Sequence, residues 1–461
     1  MPKTYEYIII GTGPGGSVAA YNLHKAGADV VLLEAGKFFR KNTFPQNEAD
    51  VAAQLYWGGG IEFDKNARMA FLRAKVVGGT SIVNQALLDR FDDIAFADWK
   101  AQSGVDFFNN KDMESAYDKV SNVLKIHEFN RSEFNKNAKL FTDACDQLGY
   151  KWSLLHRGQS DCALEKGNDC IACLGGCHRD SKQSSMATYI QTGEKEGLKV
   201  IDQTEISHFE EHEDFVTVYG ATRGTKVKFQ AKNIILACGS FGTTKMLFQS
   251  GYKAKLPNLG KNFATHPQFM NFGVFDEEVN SHKGYFQTVA SKDPNFRKAG
   301  FKLECVFAGP VSLAMLFKQY GKEHHEKMRN YRKLTCVEIA VRDENTGEIM
   351  VNNKGRLVIQ KEMTDQDKQR RDAGLDVVHK IMEKAGAKEV IHAPMYFGLH
   401  LMGGAGMGVD GRNSVVAPDF KLHGSKRVYV CDSSLFPNAP GINPSLTIFA
   451  LSQYLSEQLI K

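Results

Sequence analysis

The residues best able to do chemistry by type and spacing are Gly11-Thr12-Gly13-Pro14-Gly15-Gly16, Glu34, and the four thiols Cys162, Cys170, Cys173 and Cys177. A glycine run opening a helix presents free backbone N–H groups and the positive end of the helix dipole, which suits phosphate. Gly11 permits the sharp turn, and Gly13 and Gly15 let the backbone approach a pyrophosphate. Gly16 allows close helix–strand packing. Glu34 suits hydrogen bonds from ribose hydroxyls and disfavours a 2′-phosphate, which points to FAD or NAD rather than NADP. The four cysteines lie within sixteen residues, with Gly175 and Gly176 between the last two. Thiolates so spaced can ligate an iron–sulfur cluster or zinc. Thiols without metal, or a disulfide pair, fit the same spacing.

The elements that must position these residues follow from the hydrophobic pattern. Tyr5 to Ile10 reads as a buried strand, and Val18, Ala19, Leu23 and Ala26 mark the apolar side of a helix that Gly27 ends. Val30 to Leu33 is a second strand, so Glu34 stands at its end. Gly78, Gly79, Ser81 and Asn84 form a second small-residue cluster, suited to backbone contact with a flat ligand. Met113–Leu124 and Asn135–Leu148 read as helices. Val200–Asp202, Phe215–Tyr219 and Lys226–Phe229 read as short strands. Asn233 to Cys238 reads as a buried strand ending at Gly239, where it returns to the nucleotide. From His266 to Ile359 the pattern is that of a largely antiparallel sheet, with strands at Val306–Met315 and Leu334–Val341. Thr364 and Asp367 signal the start of a helix reaching Lys384, with Leu375, Val378 and Met382 inward. The charge run Lys361–Asp372 reads as its solvated face. Asn443-Pro444 has the form of a helix start, Asn as N-cap and Pro at N1.

Composition narrows the class. The 42% hydrophobic and 24% charged residues are those of a globular chain, and a net charge of +5 gives no case for nucleic acid. No apolar run approaches the roughly 20 residues of a membrane span. The N-terminus shows no signal-peptide pattern, which places the chain in the cytoplasm unless a partner carries it out. Cys145, Cys238, Cys305, Cys336 and Cys431 read as reduced, buried apolar residues. There are no internal repeats.

Taken together, Gly11–Gly16 with Glu34, Ala74–Asn84, Gly239–Gly251, Leu259–Asn262 with His266, and His400–Ile448 resemble the glucose–methanol–choline (GMC) oxidoreductases, flavoenzymes that oxidise alcohols with FAD. The resemblance implies an α/β fold, α+β overall: a discontinuous Rossmann-like FAD-binding domain at 1–91, 160–265 and 390–461. Interleaved with it, a mostly antiparallel substrate-side domain takes 92–159 and 266–389. It implies that Gly239, Asp432, Asn443 and Pro444 border FAD. His400 is then the base for a small-molecule alcohol, Asn443 orients its hydroxyl, and His266 is structural or stands behind the residues that touch the substrate. The segment from Cys162 to Ser185 resembles part of long-chain alcohol oxidases and FAD-dependent sugar dehydrogenases, some of which hold an iron–sulfur cluster there. The activity implied is alcohol oxidation, with electrons passed to an acceptor other than oxygen, through a partner subunit or not. An oxygen-using oxidase and an FAD-dependent lyase or decarboxylase of the same fold are the alternatives.

Overall fold

The computed structural model describes residues 3–164 and 170–461. The strand Thr4–Ile10 is buried along its second half and runs parallel to Val30–Leu33 on one side and Thr225–Leu236 on the other. The sheet continues in the order Lys199–Ile201, Val30–Leu33, Thr4–Ile10, Thr225–Leu236, Val216–Thr222, Thr204–Glu211, and Val428–Val430 joins the end of Thr225–Leu236. The stretches expected as two strands near 226–229 and 233–238 form this single strand. Its first half is exposed to half-buried and pairs with Val216–Thr222, while Ile234, Ile235 and Leu236 are wholly buried between parallel neighbours. Helices Pro14–Lys25, Asn110–Leu124 and Ser445–Leu459 cover it, and Tyr117 and Thr447 share a hydrogen bond of 2.7 Å.

A second sheet holds, in order, Glu62–Phe63, Met69–Phe71, Tyr396–Gly398, Pro267–Val274, Leu334–Val341, Phe301–Cys305, Val289–Ser291 and Trp152–Leu154. Only the Tyr396–Gly398 pairing with Met69–Phe71 is parallel among the described residues. Its outer face packs on Lys136–Leu148 and Asp365–Lys384, through Phe141, Val378 and Met382 against Phe301 and Ile339. Strands 62–63, 69–71 and 396–398 come from segments assigned by sequence to the nucleotide domain. Helix Asn110–Leu124, assigned to the substrate side, shares the core of the nucleotide sheet.

Three further expectations change. Val306–Met315 is not a strand: Pro310 has no N–H for a ladder and instead begins the short helix Pro310–Ala314. Glu48 caps that helix, accepting from Val311 N at 2.9 Å and Ser312 N at 3.0 Å. The charge run is not wholly solvated, because Lys361 is buried against Asp343 at 2.7 Å. Asn443 is not the N-cap of the last helix; Pro444 occupies that position and the Asn443 side chain turns elsewhere.

The helix start at Thr364 is formed as expected. Thr364 accepts from Asp367 N at 3.1 Å, and Asp367 accepts from Thr364 N at 2.8 Å. Thr364→Ala is expected to cost about 1 kcal/mol of stability. Denaturant unfolding would show a lower midpoint with an unchanged slope, and no loss would rule out the box as a stabilising element.

Candidate active site

The C-terminal ends of Thr4–Ile10, Val30–Leu33 and Thr225–Leu236 open into a cavity of about 1400 Å³ whose walls come from both sheets. The glycine turn is built for close approach. Gly11 has φ +101°, and a Cβ there would meet the Ala237 carbonyl oxygen at 2.2 Å. A Cβ at Gly15 would meet the Cys431 carbonyl oxygen at 1.8 Å, whereas one at Gly13 meets nothing within 4 Å. Gly13 therefore faces open space at the start of helix Pro14–Lys25, which has no side-chain cap. Its first amides remain for an anion.

Glu34 is buried at the end of its strand. It accepts from Thr12 N at 3.0 Å and Thr12 Oγ1 at 2.6 Å on one oxygen, and from Gly36 N at 2.8 Å on the other. Burial pushes its carboxyl up, and those donors pull it back. Thr12 Oγ1 in turn accepts from Gly78 N at 2.9 Å. Asp432, also buried, accepts from Gly239 N at 2.9 Å, Thr243 Oγ1 at 2.5 Å and Ser434 N at 2.8 Å.

Gly11, Gly13, Gly15, Glu34, Gly79, Ser81, Asn84, Gly239, Asp432, Asn443, Pro444 and His400 all line the cavity. Gly16 and Gly78 do not line it. Gly16 lies under the Gly11 carbonyl, where a Cβ would stand 1.9 Å away, and Gly78 backs onto Ile82. An uncapped helix start, a glycine loop with no room for a side chain at Gly11, Gly15 or Gly16, and an acid at the next strand end fit a dinucleotide such as FAD.

On the other side, a polar cluster borders the same cavity through Gln268, Gln287, Glu304, Glu338, His400 and Asn443. His400 and His266 face each other through their Nδ1 atoms at 2.8 Å, and His266 Nε2 accepts from Gly441 N at 2.9 Å. Burial holds His400 down at about 4, and holds His266 well below its usual range. Asn443 Nδ2 donates to Glu304 Oε1 at 3.2 Å and lies 3.5 Å from Asp89 Oδ2. Lys302 binds Glu304 at 2.6 Å and Asp89 at 3.3 Å. Burial opposes charge on Asp89, yet Lys302 and His156 hold its carboxyl well below the usual range. Gln268 donates to Glu338 Oε1 at 2.7 Å, and Gln287 donates to Glu304 Oε2 at 2.6 Å. Asp89, Lys302, Glu304 and Glu338 went unread in the sequence. The available signal was acids inside otherwise apolar strands, Glu304 in Phe301–Cys305 and Glu338 in Leu334–Val341.

The four clustered cysteines surround two buried cations. Arg157 donates to Cys170 Sγ at 2.9 Å and to the Gln85 backbone and side chain. Lys182 Nζ donates to the carbonyls of Ile82, Asn84 and Cys173 at 2.6, 2.7 and 2.6 Å. Cys173 stands between Cys170 and Cys177 and bonds to both, which lowers Cys170 to about 6 and Cys177 to about 5. Cys162 Sγ pairs with Ser181 Oγ at 3.1 Å. No group of three or more Cys, His, Asp or Glu among the described residues is arranged to hold a metal ion, and no disulfide forms. The iron–sulfur expectation therefore gains no support, since the sulfurs are engaged with Arg157, Ser181 and one another. What the segment does build is a brace: Lys182 fixes the backbone of Ile82 and Asn84 beside the cavity.

A βαβ cradle joined to a polar pocket under an antiparallel sheet defines a dinucleotide-dependent oxidoreductase. Comparison with known proteins agrees. The GMC oxidoreductase family matches residues 7–268 and residues 343–452, and this chain belongs to that family. It is an FAD-dependent oxidoreductase. It is similar to long-chain-alcohol oxidase FAO4B of Arabidopsis thaliana, at 26% identity over 99% of this chain and 67% of the relative. It is similar to cholesterol oxidase of Mycobacterium tuberculosis, at 21% identity over 98% of this chain and 90% of the relative. The chain thus spans about two thirds of the plant relative. Among solved structures, pyridoxine 4-oxidase from Mesorbium loti superposes with a TM-score of 0.75 at 15% identity, covering 99% of each chain. A formate oxidase does so with a TM-score of 0.74 at 15% identity, covering 100% and 98%. No helix among the described residues is long and apolar enough to cross a membrane.

Thr12→Val keeps the shape of the side chain and removes its bonds to Glu34 and Gly78. At about 1 kcal/mol for each bond, FAD is expected to bind about tenfold or more weakly. Titration of apoprotein by flavin fluorescence measures this, and unchanged affinity would remove Thr12 from the cradle.

Proposed function

We propose that this chain oxidises the CH–OH group of an apolar alcohol to a carbonyl. What supports the reading is that His400 and Asn443 line the same cavity as the nucleotide turn and a set of apolar side chains. FAD, when bound, supplies the hydride acceptor. Gly11, Gly13 and Gly15 would hold its phosphates, Glu34 its ribose, and Gly79, Ser81, Asn84, Gly239, Asp432 and Pro444 would border it. His400 and Asn443 fix the alcohol oxygen by hydrogen bonds, so that its carbon is presented in one orientation. Met270, Phe272, Phe286, Val306, Phe307 and Phe397 line the same cavity and give it an apolar wall. That lining favours an alkyl chain over a sugar, and the names of the plant relatives support the same class.

The electron acceptor is the finer part of the reading. The sequence suggested an acceptor other than oxygen, reached directly or through a partner subunit. The relatives named as oxidases favour oxygen as the second reading.

Anaerobic mixing with a long-chain primary alcohol is expected to bleach the flavin absorbance, and glucose is not. His400→Ala is expected to slow that bleaching by about 100-fold or more. Reoxidation in air followed by oxygen electrode then separates the acceptors, since stoichiometric oxygen uptake with peroxide formation would discard the dedicated-acceptor reading. Flavin left oxidised by every alcohol would discard the function itself.

A further inference from the structure

Helix Asp365–Lys384 and strand Glu389–His392 are joined by the turn at 385–388. They set His379 and His392 side by side on the outer face of the second sheet, both exposed. The two Nε2 atoms are 3.0 Å apart, with the rings inclined at 69°. Imidazole nitrogens turned toward one point in this way either share a proton or hold a cation between them. What stands behind the rings decides which the pair is built for.

Behind His392 the tautomer is fixed by a buried amide. Strand Pro267–Val274 pairs with Glu389–His392 in the register that sets Asn271 opposite His392. Asn271 is 1% exposed, and its Nδ2 donates to the Phe269 carbonyl at 2.9 Å and to the Val337 carbonyl at 3.1 Å. Both amide protons are spent there, so Oδ1 is the atom that meets His392 Nδ1, at 2.6 Å. An amide oxygen only accepts, and His392 therefore carries its proton on Nδ1. Burial first, and then His379, hold the His392 ring below the usual imidazole range. Neutral His392 thus aims a bare lone pair on Nε2 at His379. Ligating histidines are held in this way, one ring nitrogen donating to a carbonyl and the other left to coordinate.

The spacing suits a metal ion. Zinc–imidazole bonds are about 2.0–2.1 Å long, so two of them at the tetrahedral angle put their nitrogens about 3.3–3.4 Å apart. Starting from 3.0 Å, the rings need to part by only about 0.3–0.4 Å, and both lie at the surface. Without an ion, His379 Nε2–H donates to His392. With one, that proton leaves Nε2 and His379 takes one up at Nδ1, so the ring stays neutral. No third Cys, His, Asp or Glu among the described residues is arranged to join them, and water completes the shell. Imidazole and water suit zinc, copper or nickel, whereas magnesium and calcium need oxygen ligands from the protein.

We propose that His379 and His392 form a binding site for a late first-row divalent cation, with Asn271 as the positioning residue that fixes His392 for coordination. The ion ties the helix to the strand that follows it. Along Pro267–Val274, Gln268, Met270 and Phe272 line the cavity, while Phe269 packs on the helix layer and Asn271 faces His392. The site therefore stands behind the cavity wall, and it does not depend on which substrate the cavity takes.

Calorimetric titration of the holoenzyme with zinc chloride, in the wild type and in His379→Ala and His392→Ala, is the test. Both side chains are exposed, and Ala suits the helix position. The wild type is expected to show one zinc site that weakens by about 10- to 100-fold or more in each variant. Zinc taken up by the clustered cysteines would persist in both variants and so is told apart. Nitrogen-15 NMR of histidine-labelled wild-type protein reads the pair without any substitution. Zinc is expected to shift Nε2 of His379 and of His392 and to leave His392 Nδ1 protonated. Identical zinc titrations in the three proteins, or Nε2 signals of this pair unmoved by saturating zinc, would overturn the proposal. Magnesium binding there as tightly as zinc would overturn it as well.

Discussion

A carboxylate that cannot reach water must find donors within the chain, and that constraint on Glu34 organises the nucleotide side of the molecule. It takes Thr12 N, Thr12 Oγ1 and Gly36 N, from the turn before it and the turn after it. A hydroxyl has one proton and two lone pairs, so Thr12 can donate to Glu34 and still accept from Gly78 N. Three loops are thereby held at fixed spacing by one side chain. The parallel register that sets Ile10 beside Leu33 and Leu236 brings the strand ends together in the first place. Asp432 repeats the arrangement on the far wall, joining the helix start at Gly239 to the last segment.

The substrate side depends on charge balance of another kind. Lys302 is buried between Asp89 and Glu304, and its own charge is favoured by them despite burial. A buried pair of this sort adds little net stability, since desolvation offsets the attraction. What it provides is position, because it pins the carboxylates that orient Asn443. Arg157 and Lys182 show the same economy without a carboxylate. Their charges are met by carbonyl oxygens and by the sulfurs of Cys170, Cys173 and Cys177.

What could be read in the sequence was local. The glycine turn, the acid after the second strand and the Thr364 box each declare themselves within a few residues, because their geometry is set by neighbours in the chain. The polar cluster did not, because it depends on register. Glu304 and Glu338 meet only when strands thirty-odd residues apart pair at that one offset. Asn443 read as a cap because Asn before Pro-Ser is good cap chemistry, yet two distant carboxylates compete for its amide and win. Pro310 is a breaker inside an apolar run, and its missing N–H outweighs the strand pattern there. The cysteine spacing was legible, but the cations lodged among the sulfurs come from Arg157 and Lys182, outside the spacing pattern.

Burial acts in opposite directions on two acid–base groups facing the cavity, His400 and Glu338. An apolar pocket disfavours charge, so it lowers an imidazole and raises a carboxyl. His400 is held at about 4 and Glu338 near 8 by the same desolvation. At neutral pH the imidazole is then difficult to protonate, and the carboxyl gives up its proton less readily than an exposed one. A wetter pocket suited to a polar substrate would bring both groups back toward their ordinary values and narrow the difference between them. The apolar lining of the cavity therefore acts on both groups at once, in opposite senses.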